Sequence, residues 1–280
     1  MKPNEIDFDQ EQAWWEGKAQ REEDDLADEK INRLLRWRTI ERYLKNVETI
    51  LEVGGGTGAF SLPLARRGYR IVHVDFSKAM IDAARKKASG IKNLEFLLAN
   101  AVDLRPFEDR SMDLVLNMDG AISFCGTAAE RAIAESCRVA RRTLIASVSN
   151  RAWLAAVWLS ESIKRVGSII PAVYEMIETG FWHKEQYPEN DQFVRDYFGT
   201  LKSFLPQELH EAISRNGMKV IELRAIGSLS NLSNEVLLKV LGDENLLNKY
   251  VDLCEQYDKS IDPSGPGTRQ RAGLLAVAQR

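Results

Sequence analysis

The chain has 280 residues, 44% of them hydrophobic and 28% charged, with 38 Lys and Arg against 41 Asp and Glu for a net charge of −3. That balance excludes a fibrous or low-complexity chain, and the length is enough to bury a core without staples. The mild acidity argues against a nucleic-acid partner, since phosphates call for clustered positive charge.

The first ten residues carry Glu5, Asp7 and Asp9 without an apolar run, so no signal peptide is expected at this start. The longest apolar stretch, Ala152 to Leu159, is too short to span a bilayer, and no membrane partner is expected. Cys125, Cys137 and Cys254 are widely spaced and odd in number. They spell neither a disulfide framework nor a metal site, which fits a reducing, cytoplasmic location.

The first thirty residues hold eleven acidic and four basic residues beside Trp14 and Trp15, a pattern that predicts a docking amphipathic helix. Ile31, Leu34, Leu35, Trp37, Ile40, Tyr43 and Leu44 then recur at helical spacing. From residue 48 to 148 strands and helices alternate. Strands are expected at Thr49–Val53, Arg70–Val74, Leu94–Leu98, Met112–Met118 and Thr143–Val148. Helices are expected at Phe60–Arg67, from the N-cap Ser77 to Ala88, and at Ala128–Ala140. Strands without clean polar alternation, separated by helices, predict a parallel sheet covered on both faces. Residues 150–204 break that rhythm and are rich in aromatics. A helix at Pro206–Asn216, a strand at Met218–Leu223, helical sequence from Asn231 to Ile261 broken at Gly242, and a last strand at Leu274–Ala278 complete the chain. The fold class is therefore α/β: a doubly wound, Rossmann-like, mostly parallel seven-stranded sheet. It divides into a helical N-terminal extension (1–45), a core (46–150), a helical lid insertion (151–204) and a C-terminal completion of the sheet with a helical insertion (205–280).

The strongest motif is Glu52-Val-Gly54-Gly-Gly56-Thr-Gly58, between a strand and a helix. Such a loop turns tightly, lets backbone approach a ligand, and presents the free N–H groups of a helix start. A P-loop does not fit its spacing. A dinucleotide fingerprint fits Gly54, Gly56 and Ala59, so an NAD-dependent oxidoreductase is one reading. Glu52 favours a cationic cofactor over a pyrophosphate, which it would repel. Asp75, at the tip of the second strand, is placed to take ribose hydroxyls in either case.

In these residues the sequence resembles the class I S-adenosylmethionine (SAM)-dependent methyltransferases, whose first motif is an apolar strand ending in Glu/Asp-x-Gly-x-Gly-x-Gly. The resemblance covers roughly residues 36–150 and 203–226 and the last strand. It implies SAM as cofactor, with Glu52, Gly54, Gly56 and Gly58 forming its loop and Asp75 on the ribose. Phe76 and Met80 would lie against adenine, with Asn100 and the Ala101 N–H at its edge. Asn117 would offer a backbone carbonyl to the SAM ammonium, and either Arg36 or Arg38 would reach its carboxylate. Asn100 stands where the family commonly has Asp, and Arg141-Arg142 where it has Pro-Gly-Gly.

The resemblance says less about the acceptor. Methyl transfer needs alignment and exclusion of water more than a fixed triad. His183, in the aromatic insertion, is a candidate general base, and Asp119 could face the acceptor. His73 lies inside a strand and reads as structural, Cys125 as a small buried hydrophobe. The reading is an enzyme methylating an O, N or C atom of a small molecule, with an NAD oxidoreductase or a non-catalytic SAM-binding protein as alternatives. Oligomerisation is left open.

Overall fold

The computed structural model describes residues 6–19, 26–118, 120–182, 201–230, 232–263 and 273–280. Two helices lead: α1 (Phe8–Glu16), capped by the Asp7 side chain, and α2 (Ala27–Arg42). Then come β1 (Thr49–Val53), α3 (Ser61–Arg66), β2 (Arg70–Asp75), α4 (Lys78–Lys87), β3 (Leu94–Leu98) and β4 (Met112–Asn117). A 3₁₀ turn (Ser123–Ala128) leads into α5 (Ala129–Val139) and β5 (Ala140–Ser149). Helices α6 (Arg151–Val166) and α7 (Pro171–Thr179) and the short strands β6 (Phe181–Trp182) and β7 (Leu201–Lys202) follow. The rest is α8 (Pro206–Ser214), β8 (Lys219–Ile226), α9 (Asn234–Leu241), α10 (Glu244–Ser260) and β9 (Gly273–Gln279).

The main sheet has seven strands in the order β3-β2-β1-β4-β5-β9-β8. β1 pairs parallel with both β2 and β4, β2 with β3, and β4 with β5, while β9 runs antiparallel between β5 and β8. Strand order reverses on either side of β1, which opens a crevice at the carboxyl ends of β1 and β4, where open α/β sheets bind ligands.

Both faces of the sheet are covered, and the alternation of side chains along each strand shows it. Leu51, Val53, Val115, Leu144 and Ala276 join one core, with Ile133 and Cys137 of α5 and Leu209 and Ile213 of α8. Ile50, Leu114, Leu116, Ile145 and Leu275 join the other, with Ile31 and Leu35 of α2, Leu237 of α9 and Val251 of α10. A strand buried on both faces has no polar side to display. The sequence therefore shows it as an unbroken apolar run.

Strand β8 and the β6–β7 pair differ from the sequence reading. β8 runs on to Ile226 because its polar residues are internally paired. Arg224, buried, donates to Glu222 at 2.7 Å and to the Thr39 hydroxyl at 2.7 Å. The helical stretch after residue 231 is two helices, α9 and α10, capped by Ser233 and Asp243, with the break at Gly242 that the sequence predicts. The β6–β7 pair was not foreseen. It joins α6 and α7 in a separate small core, where the Trp158 and Trp182 rings stack at 3.9 Å.

Candidate functional site

The β1–α3 loop forms the floor of a cavity at the sheet's switch point. Its residues are there for different reasons. Gly54 has φ +68°, and a methyl group on it would overlap that of Ala121, so the loop lies directly on the turn after β4. Gly55 rests on the His73 ring, which occupies the place of any Cβ. Gly56 has φ +53° and open space above it on the cavity side. Gly58 does not line the cavity: a Cβ there would meet Leu62 of α3 at 2.7 Å, so its task is to let α3 close onto the sheet.

Two buried carboxylates stand at this floor. Glu52, 2% exposed, accepts from the Ser61 N–H at 2.8 Å, so the start of α3 holds it in place. Asp75, at the tip of β2, accepts from the Gly56 N–H at 2.8 Å and the Ser77 N–H at 2.9 Å. Burial raises its carboxyl above the ordinary range, and these two N–H groups and His73 pull it back in part. Asp75 thus ties the glycine loop to the strand beside it.

Glu52, Gly54, Gly56, Asp75, Phe76, Met80, Asn100 and Ala101 all line the cavity. The Asn100 side-chain oxygen also accepts from the Val102 N–H at 3.1 Å, which fixes the turn after β3. Asn117 does not line it. Its side chain points into the core and donates to the Ser136 hydroxyl at 3.2 Å, and the next residue, Met118, takes the place on the wall.

Arg38 is also elsewhere. Its guanidinium pairs with Asp252 and lies 3.8 Å from Glu255, both on α10. Arg36 donates to the Ser147 hydroxyl at 3.3 Å. The arginine on the cavity wall is Arg33. Arg38 lies five helical positions further on, which turns the two about 140° apart around α2. Asp119 and His183 lie outside the described residues.

The docking helix expected in the first thirty residues forms the roof; what sequence reasoning missed is the surface it covers. Helix α1 lays Phe8 and Trp15, two turns apart on one face, over the cavity. Trp15 meets Phe124 edge-on at 4.9 Å. Gln12 donates to the Phe76 carbonyl. The Glu16 carboxylate accepts from the Lys78 and Ala79 N–H groups at 2.6 and 2.8 Å, capping α4 from another element. The signal was present in the seven-residue spacing of Phe8 and Trp15, but nothing in the sequence says which surface that face covers. Cys125 closes the apolar side; burial, then the nearby Glu11 carboxylate, push its thiol up to about 12. Among the described residues no group of three or more His, Cys, Asp or Glu forms a metal site. No helix there is long and apolar enough to cross a membrane.

The sheet order, with a glycine floor and a carboxylate near each of the two neighbouring strand tips, is the arrangement expected from the resemblance to class I SAM-dependent methyltransferases. Residues 51–144, a third of the chain, match a family model described as a methyltransferase domain. Demethylmenaquinone methyltransferase of Clavibacter sepedonicus is 43% identical over 68 residues, which are 24% of this chain and 27% of that one. A tRNA 5-carboxymethoxyuridine methyltransferase of Escherichia coli K12 is 28% identical over 31% of this chain and 36% of that one. The likeness thus spans only about a quarter to a third of these curated relatives. A SAM-dependent methyltransferase structure from Methanosarcina mazei shares the fold over 86% of this chain and 96% of that one, at 18% identity and a TM-score of 0.53.

Proposed function

We propose that the protein transfers the methyl group of SAM to a small, largely apolar acceptor. One observation carries this reading: the glycine floor and the aromatic roof face each other across a single cavity. A polar cofactor end and an apolar acceptor end therefore share one space. The residues fit SAM. The open space above Gly56 is a cradle that a side chain there would fill, and Glu52 and Asp75 supply carboxylates suited to an ammonium and to ribose hydroxyls.

When bound, SAM supplies a methyl group on a positively charged sulfur. This chain's residues bind and align. Glu52 faces the amino-acid end, Asp75 the ribose, and Phe76 and Met80 flank the base beside Asn100 and Ala101. Arg33, rather than Arg38, is the cation on the cavity wall. Helix α1, locked over Phe76 and the start of α4, excludes water from the acceptor side. Phe8, Trp15, Phe124, Met118 and Cys125 give that side an apolar, ring-shaped surface. An acceptor that must lose a proton needs a base, and His183 and Asp119 are the candidates for it. Residues 1–45 act as strap, 46–150 as cofactor domain, 151–204 as lid and 205–280 as completion of the sheet.

The relatives do not choose the acceptor, since one is named for demethylmenaquinone and another for a tRNA nucleoside. The apolar roof and the net charge of −3 favour a small molecule over RNA. The test is a small-molecule extract incubated with the protein and methyl-labelled SAM. Label in a low-mass, organic-extractable product supports the reading. Label only in added tRNA, or none above a Glu52→Gln control, contradicts it.

A further inference from the structure

Glu52 and His73 sit opposite each other in register on the adjacent parallel strands β1 and β2. His73 is fully buried beneath the glycine loop, with its ring tilted against Phe96 at 5.2 Å. Its Nδ1 lies 2.9 Å from the Ser61 hydroxyl and 3.6 Å from Glu52 Oε2. The same Glu52 oxygen accepts from the Ser61 N–H at 2.8 Å. Two groups, from β2 and α3, thus converge on one carboxylate oxygen of β1. Gly55 completes the arrangement, because any side chain there would overlap the ring. The opposite ring edge, Nε2, is buried without a hydrogen-bond partner. The ring's polar contacts therefore all lie on the Nδ1 side, toward Ser61 and Glu52.

A glutamate has three rotatable bonds, and a carboxylate that is to meet an ammonium must be held in one of its many rotamers. A buried imidazole held by packing is suited to that task, as ligand-orienting partners are at metal sites. We infer that His73 is a positioning residue for cofactor binding. With its proton on Nδ1, it donates to the Ser61 hydroxyl and, with Ser61, fixes the Glu52 carboxylate toward the amino-acid end of the cofactor. His73 touches neither cofactor nor acceptor; it acts through Glu52. The inference rests on the SAM reading above and adds to it a residue and a selectivity. Loss of His73 weakens ligands that carry the amino-acid tail and spares ligands that lack it.

The experiment uses two ligands, S-adenosylhomocysteine and 5′-methylthioadenosine, which keeps the nucleoside and thioether but has no amino-acid tail. Binding of each is measured by titration calorimetry to wild type, His73→Leu, His73→Asn and Ser61→Ala, with circular dichroism as a check of folding. Asn places an amide nitrogen near the position of Nδ1 and is the conservative rescue. His73→Leu is expected to weaken S-adenosylhomocysteine about tenfold and to leave methylthioadenosine within twofold. His73→Asn should recover most of the loss. Ser61→Ala, which keeps its N–H to Glu52, should give a smaller loss with the same selectivity, and it serves if His73→Leu does not fold. In a Glu52→Gln background His73→Leu should have no further effect, because the residue it positions is gone. Equal weakening of both ligands, no weakening of either, or failure of Asn to rescue overturns the positioning role. Wild type that binds neither ligand overturns the SAM reading itself, a result distinct from the other three.

Discussion

Replacing Gly54 by alanine tests whether the loop lies on the β4 turn as described. Two separable costs arise. The residue has φ +68°, so any L side chain is strained there by about 1–2 kcal/mol. The new methyl would also overlap that of Ala121, and overpacking a tight contact costs about 1–3 kcal/mol more. Gly54→Ala should therefore lower the unfolding free energy by about 2–5 kcal/mol. Gly56 is the internal control, since its φ is +53° but a Cβ meets nothing within 4 Å. Gly56→Ala should show only the strain, about 1–2 kcal/mol. Urea unfolding of the ligand-free proteins reads both, as a lower midpoint at unchanged slope. With S-adenosylhomocysteine the ranking reverses in origin: the Gly56 methyl occupies the cradle directly, so its affinity loss should exceed its stability loss. Equal destabilisation by the two substitutions would refute the close approach of Gly54 to Ala121.

Removing the Glu16 carboxylate (Glu16→Ala) takes the acceptor from the Lys78 and Ala79 N–H groups while Ser77 still caps that of Met80, which should lower stability by about 0.5–2 kcal/mol. It should also free α1 to be cut by protease and weaken S-adenosylhomocysteine several-fold; unchanged protease resistance would show that α1 is held otherwise. Burial raises the three thiols, Cys125 and Cys137 to about 12 and Cys254 to about 11. Native protein at pH 8 should therefore leave a thiol-reactive dye unchanged until urea is added, and a rapidly reacting native thiol would contradict that burial. Burial alone would raise the Asp113 carboxyl, but Arg141 and the Glu48 and Thr49 N–H groups outweigh it and bring it down to about 2. A depressed acid stabilises the fold above its unfolded value and loses that contribution as pH falls through the folded one. Its contribution, discounted because Arg141 is half exposed, is about 1–2 kcal/mol and should vanish between about pH 4 and 2. Asp113→Asn should abolish that part of the acid limb; an unchanged acid limb would refute the assignment.

Much of the core was legible because its physics is local. The strands at Thr49–Val53 and Leu94–Leu98 agree with the sequence reading to the residue: the first is buried on both faces and shows as a mostly apolar run, and the second, a half-buried edge strand, is still bounded by turn signals. The glycine loop announced itself through residue type, as positive φ and close approach admit little else. Helix phase was less legible. Arg33, Arg36 and Arg38 share one helix, and only the packing of α2 on the sheet decides which of them turns toward the cavity. The last turns of β8 hid because Arg224 looks like surface until Glu222 and Thr39 pair with it. His73 read as structural because no local signal shows that Glu52, 21 positions earlier, is its cross-strand neighbour. The roof formed by α1 depends on contacts from Gln12 and Glu16 to residues more than sixty positions away, which no local pattern encodes.

The central claim is that the cavity takes SAM and not a dinucleotide. The most direct measurement is titration calorimetry of the wild-type protein with S-adenosylhomocysteine, and in parallel with NAD⁺ and NADH. One equivalent of S-adenosylhomocysteine should bind, with affinity reduced at least tenfold by Glu52→Gln, and neither form of the dinucleotide should give heat. Saturable binding of NAD⁺ or NADH, with none of S-adenosylhomocysteine, would contradict the account while leaving the fold as described.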